Sequence, residues 1–184
     1  MLKIVIGLVG ETGSGKDTFC DRIKKTIKGP IFCFRFSDPL AEALRIFIDG
    51  IKKQDQQWLG LVLRDRFGND ILAKALAKKI EGVRKGLIIL NGIRYWDEFK
   101  MIKKKGGKVI YITANSKLRW QRVRTRGEKK DDVVSYKNFL ENEKSKVETF
   151  ISRISKKADF RIENNGTAGD FYKKIDAIIK DIKQ

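Results

Sequence analysis

The segment Gly10-Glu-Thr-Gly-Ser-Gly-Lys16-Asp-Thr18 sets three glycines and a lysine between an apolar run, Ile4 to Val9, and a stretch of helical periodicity, Asp17 to Ile27. Glycines allow backbone N–H groups to turn inward around an anion, the helix start adds its partial positive charge, and the lysine reaches an outer phosphate. Buried strand, glycine loop and helix in that order is the setting a phosphate-cradling loop requires. The chain is thereby constrained to an α/β fold in which Gly10, Gly13, Ser14, Gly15, Lys16, Asp17 and Thr18 face a nucleotide. One departure concerns the metal. Ser or Thr ordinarily follows the lysine to coordinate magnesium, whereas here Asp17 stands there and Thr18 comes one place later, so these two are the candidate ligands and ligation is shifted or indirect.

A length of 184 residues suits one α/β domain able to bury a continuous core without disulfides. No apolar run approaches the ~20 residues of a membrane span, and the first residues lead straight into a strand, so a cytoplasmic protein with no membrane partner is expected. Cys20 on the first helix and Cys33 in the second strand read as small buried apolar residues of a reducing compartment. With no histidine in the chain, a zinc site is disfavoured and acid–base chemistry falls to Asp, Glu or Lys. The net charge of +18 calls for an anionic partner or a tolerance for charge. Nucleic acid is possible but not favoured, because the lysines are scattered over every predicted helix and no aromatic ribbon interrupts them. Oligomeric state is not legible.

Strands alternate with helices nearly throughout, which predicts a parallel sheet covered on both faces. Strands are expected at Ile31–Phe36, Gly86–Leu90, Lys108–Ile112 and Ala158–Glu163. Ser37-Asp38-Pro39 reads as a helix start, with Ser37 or Asp38 as cap. The region 49–69 reads as a short helical insertion in which Trp58, Leu59, Leu61, Val62 and Leu63 want burial while Gly60 and Gly68 break the pattern. Further helices are expected over Asp70–Arg84, Asp97–Lys105, Ser116–Thr125 and, as one long element, Ser135–Ser155. A last helix carries Phe171, Ile175, Ile178, Ile179 and Ile182 on one stripe.

In an open parallel sheet, ligands sit beyond the carboxyl ends of the strands. That rule selects the glycine loop, Ser37-Asp38, Asn91 to Arg94, Thr113 and Asn164-Asn165. Asp38 can accept a proton from an attacking hydroxyl, orient it or hold a hydrated magnesium ion; it can equally be a helix cap. Arg94 offers a planar fork suited to phosphate, or else a surface ion pair with Asp97 or Glu98. Arg119, Arg122 and Arg126 share one helix face at i, i+3, i+7, suited to an anion between them or to a solvated basic face. Such a row matches the charge that spreads during phosphoryl transfer, and Lys129 to Asp132 would then be a lid tip.

With these positions in place, the chain resembles small P-loop kinases of the nucleoside monophosphate kinase and dephospho-coenzyme A kinase group. Gly-Ser-Gly-Lys-Asp-Thr at 13–18, Phe-Ser-Asp-Pro-Leu at 36–40, the arginine row, and Ala158-Asp159 leading to Asn164 carry the likeness. It is especially similar to an uncharacterised archaeal family related to dephospho-coenzyme A kinase, in which Asp-Gly-Val-Arg stands where this chain has Asn91-Gly-Ile-Arg94. The resemblance implies a three-layer P-loop fold with a five-stranded parallel sheet in order 2-3-1-4-5, an acceptor-binding insertion over about 38–84 and a short lid over about 119–135. It implies ATP and Mg2+, with Lys16, Asp38, Arg122 and Arg126 catalytic. Arg122, Asn164 and Gly166 would touch the nucleotide, and Asp38, Arg45 and Arg94 the acceptor. Asn91 replaces an acidic residue that often helps organise magnesium. Dephospho-coenzyme A is slightly favoured as acceptor; a nucleoside monophosphate kinase, a regulatory ATPase and a kinase of nucleic-acid ends are the alternatives.

Overall fold

The computed structural model describes residues 2–126, 135–143 and 146–183. Five parallel strands form one sheet: β1 (Lys3–Val9), β2 (Ile31–Arg35), β3 (Gly86–Ile93), β4 (Lys108–Thr113) and β5 (Phe160–Glu163), in the order β2-β3-β1-β4-β5. The order is the one expected. It puts β1 at the centre and delivers its carboxyl end between those of β3 and β4, where the glycine loop begins.

Alternation along the strands divides the core in two. Val5, Val9, Ile88, Leu90, Val109 and Tyr111 face one side, which is covered by α2 (Asp38–Leu44), α4 (Ile71–Lys79), α5 (Trp96–Lys104) and α8 (Lys146–Ser155). Ile6, Leu8, Leu87, Ile89, Ile110 and Ile112 face the other, against α1 (Lys16–Thr26) and α9 (Ala168–Lys183). Phe171, Ile175 and Ile179 of the expected α9 stripe are buried there, with Ile178 and Ile182 at its margin.

Several expectations are corrected. β3 runs three residues further than Leu90, to Ile93, with a register shift opposite Leu8/Val9 that marks a bulge at the site end of the strand. The helix expected to reach Arg84 stops at Lys79. Ser37 occupies the N-cap of α2 without a side-chain bond; the Asp38 carboxylate instead accepts the Arg35 N–H at 2.7 Å. The insertion holds one 15-residue helix, α3 (Lys53–Phe67), that passes through Gly60 and ends at Gly68. Gly60 is buried where a Cβ would lie 3.2 Å from Leu40 Cδ1, so close packing on α2 offsets its poor helix propensity. α3 is apolar on both faces, and only one can meet the core: Leu59 and Leu63 pack inward, leaving Trp58 and Leu61 each 61% exposed. The long helix expected over 135–155 is described as α7 (Tyr136–Asn142) and α8, on either side of residues 144–145. The expected lid tip, Lys129 to Asp132, lies outside the described residues. Among the described residues no helix is long and apolar enough to cross a membrane.

Candidate active site

The turn from β1 into α1 is built by glycine backbone. Gly13 and Gly15 have φ of +78° and +111°, a region costly for any residue with a Cβ. At Gly15 a Cβ would also lie 2.6 Å from Asn164 Nδ2, so the residue is required twice over. Gly15 stands at the N-cap of α1 and offers no side-chain acceptor, which suits an external anion. Lys16 curls over the loop, its ammonium donating to the carbonyls of Gly10 at 2.7 Å and Glu11 at 2.8 Å. These bonds hold the charge at the cradle's rim.

Two distant residues brace the loop. Asn164, 7% exposed just after β5, donates from Nδ2 to Ser14 O at 2.9 Å, while its own N–H donates to Thr113 O at 2.8 Å. Arg119 is the second brace. It lies in α6 (Ser116–Arg126) with its side chain 7% exposed, donates to Ala114 O at 2.8 Å and Thr12 O at 3.3 Å, and pairs through both terminal nitrogens with Glu143. The i, i+3, i+7 spacing left that face open either to an anion between the arginines or to solvent; the structure instead turns Arg119 into the protein. A carboxylate 24 residues away helps to make that burial tolerable.

Arg122 behaves differently. Its Nη2 donates to Asn164 O at 2.9 Å, its Nη1 is buried with no partner among the described residues, and loss of hydration lowers its pKa from the ordinary guanidinium value. A half-buried guanidinium on the cleft wall with one such nitrogen can still donate to an anion. The side chain of Arg126 lies outside the described residues.

A cleft of about 780 Å³ runs from the loop toward β2, lined by Gly13, Gly15, Lys16, Asp17, Thr18, Arg35, Asp38, Asn91, Arg122 and Asn164 among others. It gathers most of the residues selected from sequence. Gly166 stands exposed after β5 beside Asp170, at the margin, and is not on this wall. Arg45, at the C-cap of α2, is exposed and does not line the cleft. Arg94 does not line it either; its backbone N–H donates to Glu98 Oε2 at 2.7 Å. Glu98 is fully buried and pairs with Arg64 at 3.2 Å; desolvation raises its pKa even though the Arg94 and Tyr95 amides and Arg64 favour the anion.

Sequence reasoning missed Arg35. At the carboxyl end of β2, its Nη2 donates to Asp17 Oδ1 at 2.9 Å, and Asn91 Nδ2 donates to the same oxygen at 2.8 Å. An acid placed where Ser or Thr is usual, just after a glycine loop and its lysine, is the signal that a cation must stand nearby. Asn91 is 5% exposed, and with its amide nitrogen turned to a carboxylate its Oδ1 is left buried with no partner among the described residues.

The donor set fits a magnesium ion carried on phosphates, which takes one or two protein oxygens and keeps several waters. Asp17 and Thr18 both line the cleft and could supply them. Among the described residues no cluster of three or more Asp, Glu, His or Cys could hold a metal by itself.

Comparison of the coordinates with solved structures settles the architecture. Shikimate kinase from Bacteroides thetaiotaomicron superposes with a TM-score of 0.67 at 12% identity, covering 96% of this chain and 98% of that one. The chain has the fold of a P-loop kinase. Shikimate kinase from Acinetobacter baumannii, solved with shikimate, gives 0.58 at 20% identity over 97% of this chain and 93% of that one. Dephospho-CoA kinase from Campylobacter jejuni gives 0.52 at 18% identity over 99% and 98%. At such identities the likeness is one of fold. In sequence, a UPF0200 protein from Pyrococcus horikoshii is 28% identical over 190 positions, covering 97% of both chains. A UPF0200/UPF0201 protein from Archaeoglobus fulgidus is 31% identical over 184 positions, covering 95% of this chain but 54% of the relative. No family model matches.

Proposed function

We propose that this P-loop kinase fold transfers the γ-phosphoryl group of ATP to a hydroxyl of a small nucleotide-like acceptor, with dephospho-coenzyme A the favoured candidate. The observation that carries the reading is that one cleft holds a glycine cradle with Lys16, the incompletely paired Arg122 and the Asp38 carboxylate. An acceptor whose phosphate is the nucleophile needs arginines on its own side and no base. An acceptor hydroxyl profits from a carboxylate. Asp38 lines the cleft while Arg45 and Arg94 do not, which supports the hydroxyl.

In this reading the loop amides and Lys16 hold the β- and γ-phosphates. Asp38, fixed through the Arg35 N–H, accepts the hydroxyl proton as the oxygen attacks γ-phosphorus; the bond to the β,γ-bridging oxygen breaks and ADP leaves. Arg122 stabilises the charge on the moving group, with Arg126 as a second donor. Magnesium held by Asp17 and Thr18 would neutralise phosphate charge. Asn164 and Gly166 border the nucleotide, Asn164 chiefly by shaping the loop.

The test is an acceptor screen with ATP and magnesium, read by ADP release and product mass. Phosphorylation of dephospho-coenzyme A and of no nucleoside monophosphate is expected. The reverse preference would overturn the assignment of acceptor, and ADP release indifferent to every acceptor would favour a regulatory ATPase.

A further inference from the structure

Among the described residues eight large apolar side chains stand in solvent, and seven of them fall between positions 46 and 67. Scattered singly, such residues need no explanation; gathered on one helix pair, they mark a surface that meets something. Trp58, Leu61 and Val62 stand at i, i+3 and i+4, one stripe of α3, and Phe67 ends that helix. Ile46, Phe47 and Ile48 prolong the last turn of α2, their amides donating to the carbonyls of Ala43 and Leu44. The two helices pack together where Gly60 meets Leu40.

α3 is fixed with its stripe outward. From the same helix, Arg64 donates through Nη2 to Glu98 Oε1 at 3.2 Å and through Nη1 to Gly60 O at 3.1 Å, and its guanidinium lies 4.0 Å from the centre of the Tyr95 ring. Glu98 is fully buried, so rolling α3 over to cover the stripe would strand that carboxylate. The stripe is thus preformed for a partner from outside.

Charge identifies the partner. The whole chain carries +18, but positions 46–67 hold Lys52, Lys53, Arg64 and Arg66 against Asp49, Asp55 and Asp65, four cations to three anions and a net of +1. Arg64 is turned to Glu98, so the remaining charges are three of each sign. An anionic polymer or lipid surface is drawn to the basic remainder of the molecule and gains little here. A second copy of the chain is repelled by that remainder and meets no net repulsion at this face. Size agrees. A buried aromatic side chain covers ~150–250 Å², and Phe47, Trp58 and Phe67 are 81%, 61% and 56% exposed; with the four aliphatic neighbours the face approaches the ~800 Å² per partner of a standard interface.

We propose that the outer face of α3, with the turn that ends α2, is the interface of a symmetric dimer of this chain. Pairing is isologous: each copy offers the same stripe, and the assembly closes at two. Because α2 begins at Asp38, the dimer joins the insertions that follow β2 in the two copies. It stands apart from the kinase reading, and no nucleotide enters its test.

The experiment is sedimentation equilibrium of the whole folded protein over a wide range of concentration. Wild type is expected to pass from one chain to two as concentration rises, and to stop there. Leu61→Glu and, separately, Phe47→Ser are expected to weaken association at least tenfold. At a dilution where wild type is itself monomeric, both variants should unfold in urea as wild type does, so that loss of the dimer is not loss of the fold. A wild type monomeric throughout, a dimer indifferent to both substitutions, or growth beyond two copies would overturn the proposal. So would a monomer that cosediments with phosphatidylglycerol vesicles and is released by Leu61→Glu, which would give the face to a membrane surface instead.

Discussion

Replacing Arg119 and Arg122 one at a time by Met separates two roles that their shared helix conceals. Arg119 donates to Ala114 O and Thr12 O and pairs with Glu143, whose side chain is 20% exposed. Breaking a buried pair costs roughly 3–5 kcal/mol because the surviving charge is stranded. Water still reaches Glu143 in part, so the lower end applies, about 3 kcal/mol, out of the 5–15 kcal/mol typical of a whole domain. For a chain of this size that is a fall of about 6–12 °C in unfolding midpoint. Arg122 donates to Asn164 O and carries a buried nitrogen with no partner among the described residues, so its loss should change stability by no more than about 1 kcal/mol. Turnover should instead drop about 10²- to 10³-fold, the usual effect of removing one donor from a developing charge. Thermal and urea unfolding beside steady-state ADP release measure both quantities. An Arg119→Met protein with the wild-type midpoint and an Arg122-like loss of turnover would refute the division.

Gly15→Ala forces a left-handed residue against Asn164 Nδ2, so both stability, by about 2–3 kcal/mol, and nucleotide affinity should fall; calorimetric unfolding and a fluorescent ADP titration read the two. Asp159 is depressed below the usual carboxylate value: burial alone would raise it, but Lys103 at 2.8 Å and the Val109 N–H at 2.7 Å outweigh that. Its stabilisation is present above the unfolded carboxyl pKa and lost as pH falls through the lower folded one, so Asp159→Asn should flatten the acid limb of urea midpoints measured between about pH 5 and 2. On α3, Leu61→Glu should leave the unfolding free energy from urea titration within about 0.5 kcal/mol while Leu63→Glu, on the inward face, should cost several times more; equal effects would contradict the helix's orientation.

The sheet was legible because its determinants are local. Ile4 to Val9 and Gly86 to Leu90 are continuous apolar runs ended by glycine or polar residues, and a parallel sheet covered on both faces demands that pattern. The glycine-rich turn between β1 and α1 was legible for the same reason, since contiguous residues build it. Contacts distant in sequence were not. Arg119 and Arg122 sit on the same helix face, and partners reached through the fold, Thr12 O and Glu143, hold one of them inward. Arg35 read as an ordinary strand end until Asp17 and Asn91 were placed beside it. On α3, helical periodicity cannot choose between two apolar faces, so the exposure of Trp58 and Leu61 had to come from the packing of α2 and the core.

The central claim is that the loop from Gly10 to Thr18 holds nucleotide phosphates with Lys16 at their outer end. Isothermal titration of the folded protein with ATP and magnesium tests it directly, run beside Lys16→Met. Saturable 1:1 binding is predicted, at least tenfold weaker in the variant, a difference of about 1.4 kcal/mol, with the unfolding midpoint unchanged. Folded wild-type protein that takes up neither ATP nor GTP, or a variant that binds as tightly as wild type, would contradict the account.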